Sequence, residues 1–447
     1  MFYSDDGDVL RLLSREGLDD WQALASSRLY SRFSETGQLV ATKAIDDAES
    51  TRNGWSALLR HERIPFISYP YEWTFSMLKD AALLELDLVL AGIDEGLILK
   101  DASPYNVQWR GAHPVFIDIG SFERLRSGEP WVGYRQFCML FLYPLLLQAY
   151  RGVPFQPWLR GSLEGIEPSV CRSLLSARDL VRRGVFTHVV LHQRLERQHG
   201  SRGGSTRREL EAAGFRSELI RTNVARLRKL VSGLTLSSAK SAWSDYGSDN
   251  TYSDKESRRK AEVVATTAQA IEPRLVWDLG CNDGWYTRIA AEHAGYTVAI
   301  DSDHTTIDRL YRSLAADADR SILPLVGDVA DPSPALGWSN LERKTLVDRG
   351  RPELTLCLAL VHHLAITRNI PLRSFLEWLR SLGSVIVIEF PSEDDTMVRR
   401  LLDAKRVGGH EDYNRANFDS LLSQLFTVES SIALSNTRTI YRARPRP

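Results

Sequence analysis

The sequence predicts an α/β fold for the carboxy-terminal part of the chain, a Rossmann-like sheet of seven strands, preceded by an α+β domain. Beyond Val276, short β-branched runs alternate with helical segments, and such alternation implies crossover connections and a parallel sheet. A glycine-rich turn follows the first of these runs directly, and acidic residues end the next two. Two longer runs at the end of the chain meet at Ser435 and Asn436, which predicts an antiparallel hairpin.

The chain is too long for one hydrophobic core. Its 447 residues suggest two or three domains of about 150 residues each. Hydrophobic residues make up 43% and charged residues 25% of the chain, which is typical of folded globular proteins. The small polar stretch SGLTLSSAKS separates an arginine-rich helical region from the alternating pattern. We therefore predict domains at residues 1–235 and 243–447.

Composition also limits the partners. A net charge of -1 provides no overall field toward nucleic acid, which is not a favoured partner. The four cysteines are far apart and form no CxxC pair, so neither a zinc site nor a disulfide framework is predicted. The acidic amino terminus lacks a secretory signal, and the apolar run 137–147 is too short to span a bilayer. A cytoplasmic protein is expected, whereas the sequence does not indicate an oligomeric state.

A strand and a long helix are predicted in the amino-terminal half. The run LVATK places Lys43 on a strand, after a turn at Thr36 and Gly37. Apolar residues recur with a helical period from Phe75 to Gly96, which predicts a buried helix. The stretch LILKDASPYNVQWRGAHPVFIDIGSFE follows, in which strand-like runs alternate with polar turn residues.

Three polar residues of that stretch have an informative spacing. Asp101 precedes Asn106 by five residues, and Asp118 follows Asn106 by twelve, with Gly120 two places later. This spacing resembles the catalytic and metal-binding segments of protein kinases and aminoglycoside-type small-molecule kinases. The resemblance implies a base at Asp101, magnesium and ATP phosphates at Asn106 and Asp118, and a phosphate-pairing lysine at Lys43.

The same half also departs from the kinase pattern. No glycine-rich phosphate loop precedes Lys43, and Lys100 and Ser103 replace motif residues. We therefore expect magnesium and ATP to bind weakly or not at all. Glu49 or Glu62 would be the ion-pair partner of Lys43 under the kinase interpretation. The alternative is a helix, turn and hairpin without chemistry, because Asp, Asn, Ser and Pro are ordinary turn residues.

The strongest functional pattern lies in the carboxy-terminal half. Residues 275–278 form a predicted buried strand that leads into GCNDG and then a helix. In such a unit the glycines let the backbone approach a ligand, and the helix offers unpaired N–H groups. The second strand ends at Asp301, at the spacing where an acid can bind ribose hydroxyls. The third ends at Gly327 and Asp328, where an acid could accept a hydrogen bond from an adenine amino group.

The ordered motifs WDLGCNDG, AIDSD and LVGDV, followed by LTLCLALVHHL and VIVIEF, resemble the class I S-adenosylmethionine-dependent methyltransferases over residues 243–447. The closing hairpin also resembles this family and separates it from nicotinamide-binding dehydrogenases. Asn282 stands where the commonest motif has glycine, and Asn tolerates left-handed backbone angles best among other residues. The resemblance implies S-adenosylmethionine as the cofactor and no metal. The cofactor-binding residues that it implies are Asp278, Gly280, Cys281, Asn282, Gly284, Asp301, Asp328, Val329 and Leu360.

His362 and His363 follow the fourth strand, where the family places its active-site rim. Either could orient an acceptor or act as a base, and either could equally be a loop histidine without chemistry. Methyl transfer from a sulfonium mainly needs in-line alignment of a lone pair, so no catalytic residue is obligatory. A helical lead-in precedes the first strand and contains Trp243, Tyr246, Tyr252 and Lys260. These side chains could cover the cofactor, or the aromatic ones could belong to the core.

Two stretches of the amino-terminal half are IPFISYPYEWTFSMLKDAALL and LKDASPYNVQWRG. With these stretches and the order of its two halves, the chain resembles a group of bacterial nodulation-type or glycan-modifying methyltransferases, the NoeA-like group. No NPPY-type motif follows the fourth strand, which favours oxygen or carbon acceptors on a small molecule or glycan. The first domain would then position the acceptor. The alternatives are a bifunctional kinase and methyltransferase, and a non-catalytic binding protein that retains both folds.

Overall fold

The computed structural model describes residues 2–3, 7–45, 54–126, 129–182, 184–191, 217–236, 254–405 and 410–447. The chain divides into two compact units. Residues 1–109 and 113–239 belong to unit 1, and residues 110–112 and 240–447 belong to unit 2. Within the described ranges, no helix combines the length and the apolar character needed to cross a membrane.

Unit 1 is an α+β structure. Its strands are β1 (Phe2–Tyr3), β2 (Val9–Leu13), β3 (Thr42–Ile45), β4 (Ala57–His61), β5 (Leu97–Leu99), β6 (Val107–Arg110), β7 (His113–Phe116) and β8 (Phe122–Arg124). Its α-helices are α1 (Arg15–Ala25), α2 (Arg28–Glu35), α3 (Phe75–Asp94), α4 (Tyr134–Phe137), α5 (Tyr143–Arg151), α6 (Gln156–Gly161), α7 (Pro168–Leu174), α8 (Ala177–Leu180) and α9 (Ser217–Ser232). Short 3₁₀ turns lie at Pro70–Glu72, Pro104–Asn106 and Ile119–Ser121, and π-helical turns lie at Cys138–Leu142 and Phe186–Leu191.

The strands of unit 1 form three small sheets. An antiparallel sheet has the order β1-β2-β4-β3, and β5 pairs with β8 while β6 pairs with β7. Side-chain oxygens of Ser14, Ser27 and Thr74 accept backbone N–H groups at the starts of α1, α2 and α3, which are typical N-caps. The predicted helix over residues 75–96 is confirmed as α3, and the apolar run 137–147 lies within a continuous buried helical stretch.

Unit 2 alternates strands and helices. Its strands are β9 (Leu275–Leu279), β10 (Tyr296–Asp301), β11 (Ile322–Val326), β12 (Leu354–Cys357), β13 (Val385–Pro391), β14 (Phe426–Ala433) and β15 (Arg438–Pro445). Its α-helices are α10 (Asp254–Ile271), α11 (Trp285–Ala291), α12 (His304–Ala316), α13 (Leu372–Leu382), α14 (Thr396–Asp403) and α15 (Arg415–Leu425). Short 3₁₀ turns lie at Trp338–Asn340 and Val347–Arg349, and a π-helical turn lies at His363–Thr367.

These strands form one seven-stranded sheet in the order β11-β10-β9-β12-β13-β15-β14. The five strands from β11 to β13 in this order are parallel, and β15 is antiparallel to both β13 and β14. The predicted seven-stranded α/β sheet and its closing antiparallel hairpin are thereby confirmed. Strands β11, β12 and β13 are buried along their whole length, as expected for parallel strands covered on both faces.

The strand order predicts a ligand crevice beside β9. From β9 the chain moves to β10 and β11 on one side, and it then returns to β12 on the other side. Open α/β sheets bind ligands at such a switch point, outside the carboxyl ends of the strands. The segments that follow β9 and β12 therefore meet at the edge where a ligand is expected.

Candidate cofactor and acceptor site

The glycine turn after β9 is held by the neighbouring strand. The backbone N–H groups of Gly280 and Cys281 both donate to the carbonyl of Ile300, at 2.8 and 3.1 Å. Gly280, Asn282 and Gly284 have φ values of 74°, 50° and 79°, in the left-handed region. A turn with this backbone is open to glycine and, at smaller cost than for other side chains, to Asn. Asn282 therefore fulfils the conformational role expected of the motif glycine.

Both glycines also lie against side chains. A Cβ atom at Gly280 would lie 3.2 Å from Cδ1 of Leu360, which follows β12. A Cβ atom at Gly284 would lie 2.7 Å from Cδ1 of Leu310 on α12. The first contact brings Gly280 and Leu360, two of the predicted cofactor residues, to the same place at the switch point.

Asp301, at the end of β10, binds the glycine turn directly. Its Oδ2 atom accepts the backbone N–H of Asn282 at 3.0 Å, and its Oδ1 atom accepts that of Asp303 at 2.9 Å. Burial raises the pKa of Asp301, and the two N–H groups oppose that shift. Each carboxylate oxygen has a second lone pair, so the side chain can still accept hydrogen bonds from a ligand.

Asp278 lies under the same turn. It is 2% exposed, and its Oδ2 atom accepts the hydroxyl of Thr287 on α11 at 2.6 Å. Burial raises the pKa of Asp278 to about 7, although the Thr287 hydrogen bond lowers it. Cys281 is buried nearby, and burial raises the pKa of its thiol. Asp278 therefore ties β9 to the helix behind the turn, whereas the turn itself is bound by Asp301.

Asp328 and Val329 follow β11, the strand next to β10 in the sheet. The Asp328 carboxylate forms an ion pair with Arg368, and its Oδ1 atom accepts the N–H of Ala330 at 2.9 Å. Val329 is half-buried. Arg368 was not predicted from the sequence, because a single arginine in the segment after β12 has no distinctive spacing.

His362 and His363 begin the π-helical turn after β12. Their ring centroids are 4.1 Å apart. His362 is 2% exposed, and burial, followed by His363 and Arg438, lowers its pKa well below the usual value. Burial, followed by Arg438, lowers the pKa of His363 to about 4. Both imidazoles are therefore neutral at pH 7, and neither carries a positive charge toward the crevice.

A buried charge network lies beside these histidines. Glu389 on β13 is fully buried, and it binds Lys260 at 2.8 Å and Arg438 at 3.2 Å. Arg438 also forms two hydrogen bonds with Asp395, at 2.7 and 3.1 Å. Lys260 further lies 4.7 Å from the ring centroid of Tyr286. The network holds two cations and two carboxylates, so its formal charges balance.

The sequence prediction included only Lys260 from this network. The clearest missed signal is Glu389, an acid within the otherwise apolar run VIVIEF, because a buried carboxylate requires a partner. Three other residues of the predicted lead-in, Trp243, Tyr246 and Tyr252, lie outside the described residues.

The predicted kinase-like residues of unit 1 are only partly brought together. Asp118 binds Arg11 of β2 at 2.5 Å and accepts the hydroxyl of Ser121 at 2.8 Å. The amide of Asn106 donates to the same Ser121 hydroxyl at 3.4 Å. Asp101 is exposed in the segment after β5.

Lys43 does not join them. It is exposed and lies opposite Arg60 in the β3–β4 ladder, and Arg60 lies opposite Leu10 of β2. Directly opposed residues share a face, and successive residues along a strand alternate. Lys43 is therefore on the face opposite to Arg11, and the cation beside Asp118 is an arginine that the kinase interpretation did not include. Glu62 is exposed, and Glu49 is outside the described residues.

Comparison with known proteins identifies one relative over most of the chain. Nodulation protein NoeA of Rhizobium meliloti (strain 1021) is 35% identical over 430 residues, which cover 93% of this chain and 88% of the relative. No family model matches the sequence.

Two solved structures are similar to part of the chain. The N-methyltransferase NodS of Bradyrhizobium japonicum WM9, in complex with S-adenosyl-L-homocysteine, is 14% identical with a TM-score of 0.34, over 47% of this chain and 94% of that chain. Magnesium protoporphyrin IX methyltransferase of Synechocystis PCC 6803, with the same compound bound, is 15% identical with a TM-score of 0.32, over 50% and 94% of the respective chains.

Proposed function

The chain belongs to the NoeA family of nodulation proteins, and from that premise we propose that it is an S-adenosylmethionine-dependent methyltransferase. Unit 2 carries the reaction, with its catalytic domain at residues 243–447, and the domain at residues 1–235 positions the acceptor. The acceptor is a small molecule or a glycan, and the reaction takes place in the cytoplasm.

One observation supports this proposal above the others. The glycine turn after β9 lies at the switch point of the seven-stranded sheet, and Asp301 accepts a hydrogen bond from that turn at 3.0 Å. The motifs that follow one another in the sequence therefore lie side by side in space: the glycine turn, the acid at the end of β10 and the segment after β12. Such adjacency is what a nucleoside with a charged tail requires.

The chain's residues have separate tasks in holding the cofactor. Asp301 accepts hydrogen bonds from the ribose hydroxyls, and Asp328 lies on the adenine side with Val329. The backbone from Gly280 to Gly284, with Cys281 and Asn282, faces the amino-acid portion, while Asp278 fixes β9 against α11. When bound, the cofactor supplies an electrophilic methyl group on a sulfonium, which passes to a lone pair of the acceptor as the carbon–sulfur bond breaks.

The histidines lie where the acceptor is expected, after β12. A neutral imidazole accepts a hydrogen bond, so His363 can orient an acceptor hydroxyl or take up its proton when the new bond forms. A pKa of about 4 makes His363 a weak base, so its main contribution is orientation. His362 is buried and its ring lies 4.1 Å from that of His363, centroid to centroid, so it supports the position of His363.

The acceptor can be identified directly. Extract from cells that lack the protein would be incubated with the full chain and methyl-deuterated cofactor, and labelled products would be sought by mass spectrometry. We expect one product family that gains a labelled methyl group with the wild type and not with Asp301→Ala. A protein that binds the cofactor and yet labels nothing would support the non-catalytic alternative.

A further inference from the structure

Unit 1 contains a polar cluster that the proposed methyl transfer does not use. The Asp118 cluster consists of Arg11, Asp101, Asn106, Asp118 and Ser121, together with two buried residues, Glu85 and His61, that interact electrostatically with Asp118. The backbone N–H of Lys100, next to Asp101, donates to the carbonyl of Ser121 at 2.9 Å. Six elements or turns supply these side chains, and α3, which carries Glu85, packs against β5, β7 and the turn at Pro104–Asn106. A site assembled from segments so distant in sequence is fixed by the fold of the whole unit.

Glu85 is the unusual member. It is fully buried, and neither of its carboxyl oxygens has a hydrogen-bond partner among the described residues. Burial, followed by the charges of Asp101 and Asp118, raises the pKa of Glu85 well above its usual value. A buried acid without a partner reduces the stability of the fold. Its presence beside two further acids therefore indicates a role in binding, because stability and function often conflict at such positions.

His61 contributes a buried polar atom without a partner. The hydroxyl of Thr42 lies 3.1 Å from the carbonyl oxygen of Val40 and 2.9 Å from Nδ1 of His61. The Nε2 atom of His61 has no hydrogen-bond partner within the described chain. Burial, followed by Arg11, lowers the pKa of His61 to about 4, so the imidazole is neutral at pH 7.

The balance of groups decides the ligand class. The carboxylates of Asp101 and Asp118 and the side-chain carbonyl of Asn106 accept hydrogen bonds, whereas the charged donor, Arg11, is already bound to Asp118. Lys43 lies on the opposite face of the sheet, so a polyphosphate would meet two carboxylates and a single engaged guanidinium. No group of His, Cys, Asp or Glu in the described part of the chain is arranged to hold a metal ion. A neutral ligand rich in hydroxyl donors fits these groups best.

We propose that the Asp118 cluster binds a neutral, polyhydroxylated ligand of the carbohydrate class, whose hydroxyl groups donate hydrogen bonds to Asp101 and Asp118. Glu85 adds a buried carboxyl group to the cluster, and Gly120 leaves room for Arg11, because a Cβ atom there would lie 2.1 Å from its Nη1 atom. That this binding recruits a methyl acceptor rests on the proposed function. The binding itself is measured without methyl transfer.

The test is saturation-transfer NMR and calorimetry on the full chain without cofactor. The probes are glucose, galactose, mannose, N-acetylglucosamine and cellobiose at millimolar concentration. At least one is expected to bind, and Asp101→Asn should weaken that binding at least tenfold. The matched control is Asp94→Asn, which removes another exposed acid of the same unit, paired with the exposed Arg221, and should leave the binding unchanged.

A second variant separates binding from folding. Glu85→Leu removes the unpartnered acid, so we expect a higher melting temperature together with weaker carbohydrate binding. Absence of binding by all five probes, or equal affinities of wild type and Asp101→Asn, would overturn the proposal. Tight binding of magnesium ATP that Asp118→Asn abolishes would replace it with a nucleotide site. Titration of the same samples with S-adenosylhomocysteine reports on unit 2 separately, so failure of one proposal does not obscure the other.

Discussion

Asp301 shows how one side chain can serve both the fold and a ligand. The sequence predicted a strand-end acid for the ribose, and the structure adds that both carboxylate oxygens already accept backbone N–H groups, from Asn282 and Asp303. These two hydrogen bonds depend on the local conformation of the turns, which the spacing of residues in the sequence does not predict. A substitution at Asp301 therefore affects the empty protein as well as the complex.

We expect Asp301→Ala to weaken binding of S-adenosylhomocysteine at least tenfold, because charge-assisted hydrogen bonds contribute about 1.5–3 kcal/mol each and about 1.4 kcal/mol corresponds to one decade. It should also lower the melting temperature, since two N–H groups lose their acceptor. Asp317→Ala, which removes an exposed acid paired with Arg288 on the same unit, is the control for both measurements. Unchanged affinity in Asp301→Ala would mean that another residue holds the ribose.

His61 makes stability depend on pH. Its pKa is about 4 in the folded protein and about 6.5 in the unfolded chain, so the unfolded state binds more protons between these values. Stability contributed by the neutral imidazole is thus present above pH 6.5 and is lost as the pH falls toward 4, by about 2 kcal/mol at pH 5. Calorimetric melting at pH 7.5 and 5.0 should show a smaller acid-induced decrease for His61→Gln than for the wild type. An equal decrease in both proteins would contradict the assignment.

At the scale of elements, the sheet of unit 2 was largely predictable from sequence and the cluster of unit 1 was not. Parallel strands buried on both faces appear as continuous apolar runs, such as LVWDL and VIVIEF, and turn residues mark their ends. The expected proximity of Lys43 to Asp118 was wrong for a different reason. A shift of one residue along a strand moves a side chain to the other face of the sheet. The run LVATK does not show whether Lys43 or its neighbour lies on the face near Asp118.

Gly284 in the glycine turn and Gly383 at the end of α13 offer a matched pair of variants. Gly284 and Gly383 have φ values of 79° and 78°, but a Cβ atom would meet Leu310 at 2.7 Å in the first case and nothing within 4 Å in the second. Gly383→Ala should therefore cost only the left-handed strain of about 1–2 kcal/mol. Gly284→Ala should be more destabilising and should also weaken cofactor binding. Equal melting temperatures for the two variants would show that the turn adapts without cost.

The charge network connects four elements, α10, β13, β15 and the start of α14. Glu389→Gln should destabilise unit 2 by about 3–5 kcal/mol, because Lys260 loses its carboxylate while buried. The double variant Lys260→Met with Glu389→Gln should be more stable than Glu389→Gln alone, since Arg438 keeps Asp395 as its partner. Chemical denaturation of both proteins measures the difference. A double variant less stable than the single one would contradict this account of the network.

At the scale of the whole molecule, ion pairs between distant parts of the chain neutralise two arginines of α9. Arg221 and Arg228 of α9 bind Asp94 and Asp87 of α3, at 2.9 and 2.5 Å. The prediction that nucleic acid is not a favoured partner rests on the net charge of -1 and stays a prediction. Such long-range pairs cannot be predicted from sequence, because helix periodicity identifies the buried face of each helix but not its partner.

The central claim is that unit 2 binds S-adenosylmethionine at the glycine turn beside Asp301. Isothermal titration of the full chain with S-adenosylmethionine, and separately with S-adenosylhomocysteine, tests it most directly. We predict saturable binding of both compounds with one site per chain, weakened at least tenfold in Asp301→Ala and unchanged in Asp317→Ala. No detectable heat and no thermal shift with either compound at millimolar concentration would contradict the claim.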